Sequence, residues 1–160
     1  MIFSKRACVL LCGLLLSATG TMAQSVVGHW VTIDDKQDIE KSIVSLSINS
    51  GGELEGTIVK LLDRNAETTH CHKCPGDLKD QPLEGLRFMW GLSPEDAPEN
   101  ARRWQDGEIL DPKSGKVYRA KLNLSDDGQS LMVRGFVGLS LFGRTQTWHR
   151  HVGPYADSGD

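Results

Sequence analysis

Apolar and polar residues alternate in short segments along most of the chain. In residues 42–48, Val44, Leu46 and Ile48 share one face while serines occupy the other. Residues 117–124 repeat the alternation. The predicted inward side chains of this second segment are Tyr118, Ala120, Leu122 and Leu124. Because a period of two residues is that of a β-strand with one buried face, the pattern predicts a protein built from half-buried strands.

Glycine, proline, asparagine and aspartate cluster between these segments and predict tight turns. Residues 49–52 join the first strand to a return strand over 53–62, and similar signals lie at 111–115 and 126–128. These residue types suit hairpin turns because they tolerate left-handed backbone or preset the φ angle. About eight strands arise in this way, and no long amphipathic helix is predicted. We expect an all-β fold, a single antiparallel barrel of about eight strands, with a β-sandwich as the alternative.

Two longer polar segments interrupt this rhythm, at residues 63–85 and 93–102. The second is predicted to form at most one helical turn. Long loops of compact β-domains frequently carry function, so both segments are candidate functional regions. The predicted barrel domain spans residues 24–152 and is followed by a flexible tail at 153–160.

Residues 1–23 have the features of a secretory signal peptide. A basic pair precedes an apolar stretch over 9–16, and Thr21 and Ala23 supply small residues before a cleavage site. The apolar stretch is far shorter than the ~20 residues that a membrane helix needs. We therefore expect a periplasmic or secreted protein, with no transmembrane segment after removal of the signal.

The charge pattern bears on the choice of partner. The formal net charge of the full chain is -3, and removal of the signal takes away Lys5 and Arg6, which makes the mature chain more acidic. Basic residues are otherwise scattered singly or paired, as at Arg102 and Arg103. Since nucleic-acid binding leaves a basic patch or stripe, we expect no nucleic-acid partner.

Residues 70–74 contain both cysteines of the predicted mature chain. Cys71 and Cys74 have no other thiol to pair with, and an oxidising compartment favours a disulfide between them. A disulfide that encloses so short a loop contributes only ~2 kcal/mol through chain entropy. We expect it to stiffen the loop rather than to hold the fold together.

Two other functions of this cluster stay open. A thiol-redox role requires a Cys-x-x-Cys pair at a helix N-terminus, whereas the following Pro75–Gly76 favours a turn. A metal role would bind zinc or copper, because thiolate and imidazole suit both ions. The candidate ligands are His70, Cys71, His72 and Cys74. A metal-handling or thiol-redox accessory protein is therefore the alternative function.

Known catalytic motifs are missing from the sequence. It contains no Gly-x-Ser-x-Gly elbow, no phosphate-binding glycine loop and no His-Glu-x-x-His. Carboxylates such as Asp34, Asp106 and Glu108 lie at predicted strand ends, where solvated turn residues are common. The sequence therefore favours a protein that is not an enzyme, and it assigns no catalytic residue and no cofactor.

The apolar, glycine-rich stretch over residues 134–143 is a candidate binding surface. The predicted ligand-binding residues are Phe136, Leu139 and Phe142 of this stretch together with Tyr118. A hydrophobic rim at the entrance of a ligand cavity or on a partner surface would consist of Phe136, Leu139, Leu141 and Phe142. The glycines also fit a core strand that continues into a bent hairpin, so both interpretations stay open.

Several motifs, in order along the chain, resemble one bacterial family. They lie at 28–32, at 71 and 74–76, and at 107–112, 114–118, 134–136 and 143–148. Together they are similar to the exported family catalogued as domain of unknown function 2147, and they cover nearly the whole mature chain. The resemblance implies an exported protein of a Gram-negative bacterium. It supplies no activity and no catalytic residue.

The chain also resembles the calycin or lipocalin-like barrels. A Gly-x-Trp on the first strand, here Gly28 and Trp30, and an arginine late in the last strand are similar to their signature. In those barrels the tryptophan plugs the closed end and the arginine covers its ring. The resemblance implies structural roles for Gly28, Trp30 and Arg150, with Arg144 as the other candidate arginine; Trp148 is also a predicted structural residue. By analogy of fold, it also implies a non-catalytic binding module for a small, partly apolar ligand or a cell-envelope partner.

Overall fold

The computed structural model describes residues 25–34, 38–63 and 68–154. The predicted signal peptide, its cleavage site and most of the predicted tail lie outside these residues. The described strands are β1 (Gly28–Asp34), β2 (Ile39–Ile48), β3 (Leu54–Leu61), β4 (Arg87–Pro94), β5 (Arg103–Asp111), β6 (Lys116–Leu124), β7 (Ser130–Phe136) and β8 (Gly143–Arg150). A short 3-10 turn, Gly76–Leu78, lies between β3 and β4. Within the described residues, no helix is long and apolar enough to span a membrane.

The strands form a closed antiparallel barrel. Each strand pairs with the next in the chain, and β8 pairs with β1. The predicted single barrel is thereby confirmed, and the β-sandwich alternative is wrong. The predicted alternation of β6 also holds, since Ala120, Leu122 and Leu124 are buried and Tyr118 is half-buried. One boundary differs, because β4 continues to Pro94, which pairs with Trp104 at the end of the strand, where a proline is tolerated.

Successive connections alternate between the two ends of the barrel because every neighbouring pair is antiparallel. The β2–β3, β4–β5 and β6–β7 turns and residues 25–28 lie at one end, which we call the Trp30 end. The β1–β2, β3–β4, β5–β6 and β7–β8 connections lie at the other end. We call it the disulfide end, because the β3–β4 loop carries both cysteines.

Large apolar side chains fill the barrel, and the buried cluster extends from Val26 and Trp30 at the Trp30 end to Leu110 and the cysteines at the disulfide end. Trp30, Trp104 and Trp148 are each at most 2% exposed. The ring of Phe88 lies 6.1 Å from that of Trp148, and leucines and Met89 complete the core. An eight-stranded barrel has an interior that side chains can fill. The described residues therefore form a packed core here.

Arg150 closes the Trp30 end. Its guanidinium carbon lies 4.3 Å from the centre of the Trp30 ring. Nε donates to the Gly128 carbonyl oxygen at 2.6 Å, and Nη2 donates to that of Ser25 at 2.7 Å. Burial lowers the pKa of the Arg150 guanidinium, while the ring face and the carbonyl oxygens favour its charged form. Arg144, the other candidate, lies at the opposite end of β8.

Gly28 and Trp148 also have defined structural surroundings. Gly28 has a φ of +130°, and a Cβ at this position would lie 3.3 Å from Nη1 of Arg150. Trp30 Nε1 donates to the Val26 carbonyl oxygen at 2.9 Å. Trp148 Nε1 donates to Gln146 Oε1 at 3.2 Å. The two buried indoles therefore satisfy their polar atoms locally, as buried tryptophans usually do.

Replacing Arg150 by lysine is expected to destabilise the protein by about 2–4 kcal/mol, because lysine cannot reproduce the forked hydrogen bonds or cover the indole. Urea unfolding followed by tryptophan fluorescence measures this loss. The control is Arg144→Lys on the same strand, which should change the free energy of unfolding by less than about 0.5 kcal/mol. Equal effects of the two substitutions would contradict the role of Arg150.

Candidate functional site

The described part of the β3–β4 loop, residues 62–63 and 68–86, is built around a short two-stranded stem. The amide of Cys71 donates to the carbonyl oxygen of Gln81 at 2.9 Å, and the amide of Leu83 donates to that of Thr69 at 2.8 Å. These bonds satisfy backbone groups that a loose loop would leave to water. They give a defined shape to a segment that the sequence predicted only as a long polar loop.

The tip of the β3–β4 loop docks on the β5–β6 turn at the disulfide end. Cys71 Sγ lies 3.6 Å from the Pro112 carbonyl oxygen. The Lys73 carbonyl packs so closely on Gly115 that a Cβ there would lie 1.7 Å from its oxygen. Because β4 separates β3 from β5, the loop must cross the start of β4 to make these contacts. Gly115, with a φ of +72°, allows both the turn and the contact.

Cys71 and Cys74 form the predicted disulfide, with their Cα atoms 5.4 Å apart. Their exposed fractions are 0% and 4%, and they belong to the same apolar cluster as Leu83, Leu86 and Leu110. The sequence predicted a clasp that only stiffens the loop, whereas the structure makes the disulfide part of the packing between loop and barrel. Burial of both sulfur atoms does not suit a thiol-redox enzyme, which needs an accessible thiolate.

The histidines beside the disulfide are exposed. The rings of His70 and His72 stack with their centres 6.0 Å apart. His72 Nδ1 lies 2.7 Å from Asp80 Oδ1, and His70 Nδ1 lies 3.0 Å from Thr69 Oγ1. Among the described residues, no group of three or more His, Cys, Asp and Glu side chains is placed to hold a metal ion. The zinc or copper alternative gains no support from this geometry and stays a prediction.

Two grooves run along the β3–β4 loop. One, of about 330 Å³, is lined by Leu61, His70 and Pro82 among others. The other, of about 450 Å³, is lined by residues between Asp77 and Arg87. Both are open to solvent, whereas a small-molecule site usually buries most of its ligand. Neither groove is therefore the preferred binding site.

The four predicted ligand-binding residues do not converge on one point. Tyr118 is half-buried on the inner face of β6. Phe136 lies opposite Arg119 on the outer face of the barrel, with the guanidinium carbon 5.5 Å from its ring centre. Leu139 and Phe142 lie in the β7–β8 turn. The structure thus separates an inner residue from three residues of one hairpin, and the ligand-binding role of all four stays a prediction.

The β7–β8 turn presents apolar side chains to solvent. The exposed fractions are 64% for Val137, 69% for Leu139, 82% for Leu141 and 72% for Phe142, and we call these four residues the apolar tip. Hydrogen bonds from the Val137 amide to the Phe142 carbonyl oxygen and from the Phe142 amide to that of Leu139 close the turn. Such a concentration of exposed apolar side chains makes this turn a candidate interaction surface.

Arg134 holds the apolar tip in place. Its Nε and Nη2 donate to the Ser140 carbonyl oxygen at 2.9 and 2.6 Å, and its Nη1 donates to Thr145 Oγ1 at 2.7 Å. Charge-assisted hydrogen bonds of this forked kind fix geometry as well as adding stability. Sequence reasoning missed this residue. Strand alternation could have predicted an outward side chain at position 134, but not its contact with the following turn.

A closed antiparallel barrel of eight strands, with a tryptophan and an arginine paired at one end, is the architecture of lipocalin-like proteins. A protein from the human pathogen Helicobacter pylori, described as belonging to the lipocalin family, has a similar solved structure, with a TM-score of 0.67 and 18% sequence identity. The similarity covers 80% of this chain and 84% of that chain, and it shows the fold alone.

The chain belongs to the bacterial family DUF2147, described as uncharacterized proteins conserved in bacteria, which matches residues 28–150. No curated protein has a significant match to the sequence. The predicted resemblances to this family and to lipocalin-like barrels are therefore both confirmed.

Replacing Cys71 and Cys74 together by alanine is expected to lower the free energy of unfolding by about 3–5 kcal/mol. The short loop accounts for ~2 kcal/mol, and the lost contacts of two buried sulfur atoms account for the rest. Urea unfolding of the oxidised protein and of the double variant measures the difference. A loss of no more than about 2 kcal/mol would show that burial of the disulfide adds nothing to its loop-closure effect.

Substitution of Gly115 by alanine tests the docking of the loop, with Gly76→Ala as the matched control. Both glycines have positive φ, but a Cβ on Gly76 would meet nothing within 4 Å. We expect a cost of about 1 kcal/mol at Gly76 from backbone strain. At Gly115 the clash with Lys73 should add about 2 kcal/mol or more and speed proteolysis of the loop. Equal costs at the two positions would rule out the docked arrangement.

Proposed function

We propose that this protein is an exported, non-catalytic binding module that engages the apolar surface of a small ligand or a cell-envelope partner. The apolar tip carries this proposal. Four side chains that are mostly exposed lie on a turn whose shape is fixed by Arg134. The lipocalin-like fold supports a binding role, because barrels of this size bind ligands at one end or are filled by their own side chains.

The packed core favours binding at the disulfide end over a deep internal pocket. Trp30, Trp104 and Trp148 occupy the interior toward the Trp30 end. At the disulfide end, Tyr118 is half-buried on the inner face and the apolar tip extends from the next hairpin. We therefore place the binding surface on the rim of the disulfide end, with the apolar tip as its main contact.

Export is part of this proposal. Residues 1–23 combine a basic start, a short apolar stretch and small residues before the predicted cleavage site. The disulfide between Cys71 and Cys74 fits an oxidising compartment. A periplasmic or secreted location would bring the apolar tip close to the components of the cell envelope.

Binding of N-phenyl-1-naphthylamine, a small apolar dye that fluoresces when it leaves water, tests the proposed surface. We expect saturable binding to the folded protein. The double variant Leu141→Ser, Phe142→Ser should weaken binding about fivefold or more, since each lost apolar contact contributes roughly 1 kcal/mol or more. Fluorescence titration measures the dissociation constants.

The control variant for this experiment combines Met132→Ser and Val152→Ser, which remove two exposed apolar side chains outside the apolar tip. It should bind the dye as the unmodified protein does. The proposal fails if the dye does not bind, or if both double variants bind it with unchanged affinity. Native mass spectrometry of protein purified from periplasm should in addition show a co-purified lipid-like mass that the tip variant loses.

A further inference from the structure

We propose that the apolar tip inserts into the surface of an anionic lipid bilayer, with the wall formed by β6, β7 and β8 facing the lipid headgroups. This inference rests on the proposed binding function and names its partner. Two observations carry it, namely the shape and exposure of the apolar tip and the distribution of charge around it.

The apolar tip has the shape of an inserting element. It is the end of a two-stranded hairpin, and its four side chains are 64–82% exposed, so the neighbouring elements leave them uncovered. A stable protein–protein interface buries roughly 800 Å² on each partner over a broad patch. A narrow convex tip offers too little area for that, whereas it can bury all four side chains by entering the apolar region of a bilayer.

The strands that carry the apolar tip are basic, although the chain as a whole has a formal net charge of -3. Residues 116–124 and 130–150 contain no aspartate or glutamate. The basic residues of this wall are Lys116, Arg119, Lys121, Arg134 and Arg144, whereas Arg150 closes the Trp30 end and is not counted. Basic side chains near a membrane surface are each attracted to anionic lipids. The charge of this wall therefore complements an anionic bilayer.

The positions of these basic residues agree with the proposed orientation. Arg144 lies two residues after Phe142 of the apolar tip, and Lys121 pairs with Arg134 on the outer face. Asp34 and Asp106 offset part of the charge, since they lie 3.8 Å from Arg144 and 3.2 Å from Arg119. The wall nevertheless keeps an excess of positive charge, because the strands themselves supply no carboxylate.

Arg134 makes insertion less costly. Its guanidinium binds the carbonyl oxygens of Ser140 and Leu141 and the hydroxyl of Thr145, so the turn keeps one shape. A preformed turn loses little conformational freedom on binding. These bonds also satisfy two turn carbonyls that would otherwise lose water in the lipid.

Co-sedimentation of the mature chain with lipid vesicles tests the proposal. One set of vesicles is pure phosphatidylcholine, and the other contains about 30% phosphatidylglycerol. We expect binding to the anionic vesicles only, and a decrease when the salt concentration rises to about 0.5 M. Leu141→Ser with Phe142→Ser should lower the partition coefficient about tenfold or more. Val27→Ser with Val152→Ser, which remove two exposed apolar side chains outside β6, β7, β8 and the apolar tip, should leave it unchanged.

A fluorescent label reports which end of the barrel enters the bilayer. The label NBD, attached at Ser140→Cys in the apolar tip, should brighten and shift to the blue with anionic vesicles. The same label at Ser50→Cys, in the β2–β3 turn of the Trp30 end, should not change. A change at the Ser50 position instead would contradict the orientation.

The outcomes separate this inference from the proposed function. If the unmodified protein binds no vesicles, or if the tip variant binds them equally well, insertion into lipid is wrong. If the apolar dye still binds through the tip in that case, the proposed function stands and a protein or small molecule is the partner. If neither dye nor vesicles depend on the tip, both proposals are wrong.

Discussion

Closure of the barrel depends on the short seam between β1 and β8, and Arg150 is the side chain that holds it. The seam joins Trp30 to Arg150 and Val31 to His149, whereas β7 and β8 pair along their whole length. The Arg150 guanidinium covers the indole of Trp30. It also donates to the carbonyl oxygens of Ser25, just before β1, and of Gly128, in the β6–β7 turn. The Arg150 side chain therefore adds contacts at the seam, where only two residue pairs join β1 to β8.

Closure of the Trp30 end by Arg150 limits where a binding surface can lie. The Trp30 end is closed by its own side chains and filled with indoles, so it leaves little space for a ligand. The disulfide end differs, since a loop is docked over its rim and one hairpin projects from it. The buried bond between Cys71 and Cys74 stabilises the docked loop. The β7–β8 hairpin keeps its apolar side chains in solvent.

The strands were predictable from the sequence because their information is local. Alternation within 42–48 or 117–124 and glycine-rich turns fix strand, face and hairpin together. The Trp30 and Arg150 pair was accessible only through resemblance to known barrels. Burial of the disulfide was not predictable, because it depends on close packing of the Lys73 carbonyl against Gly115, a residue far away in the chain.

The apolar tip was ambiguous in the sequence for a physical reason. Leucine and phenylalanine beside glycine fit a buried strand as well as an exposed turn, and exposure is decided by where the hairpin ends. In the structure these side chains bury little, so the fold does not depend on their apolar character. Arg134 fixes the turn through main-chain oxygens and a hydroxyl, whatever side chains the turn itself carries. The stability of the barrel and the chemistry of the tip are therefore separable. This separation allows a binding surface to be altered without unfolding the protein.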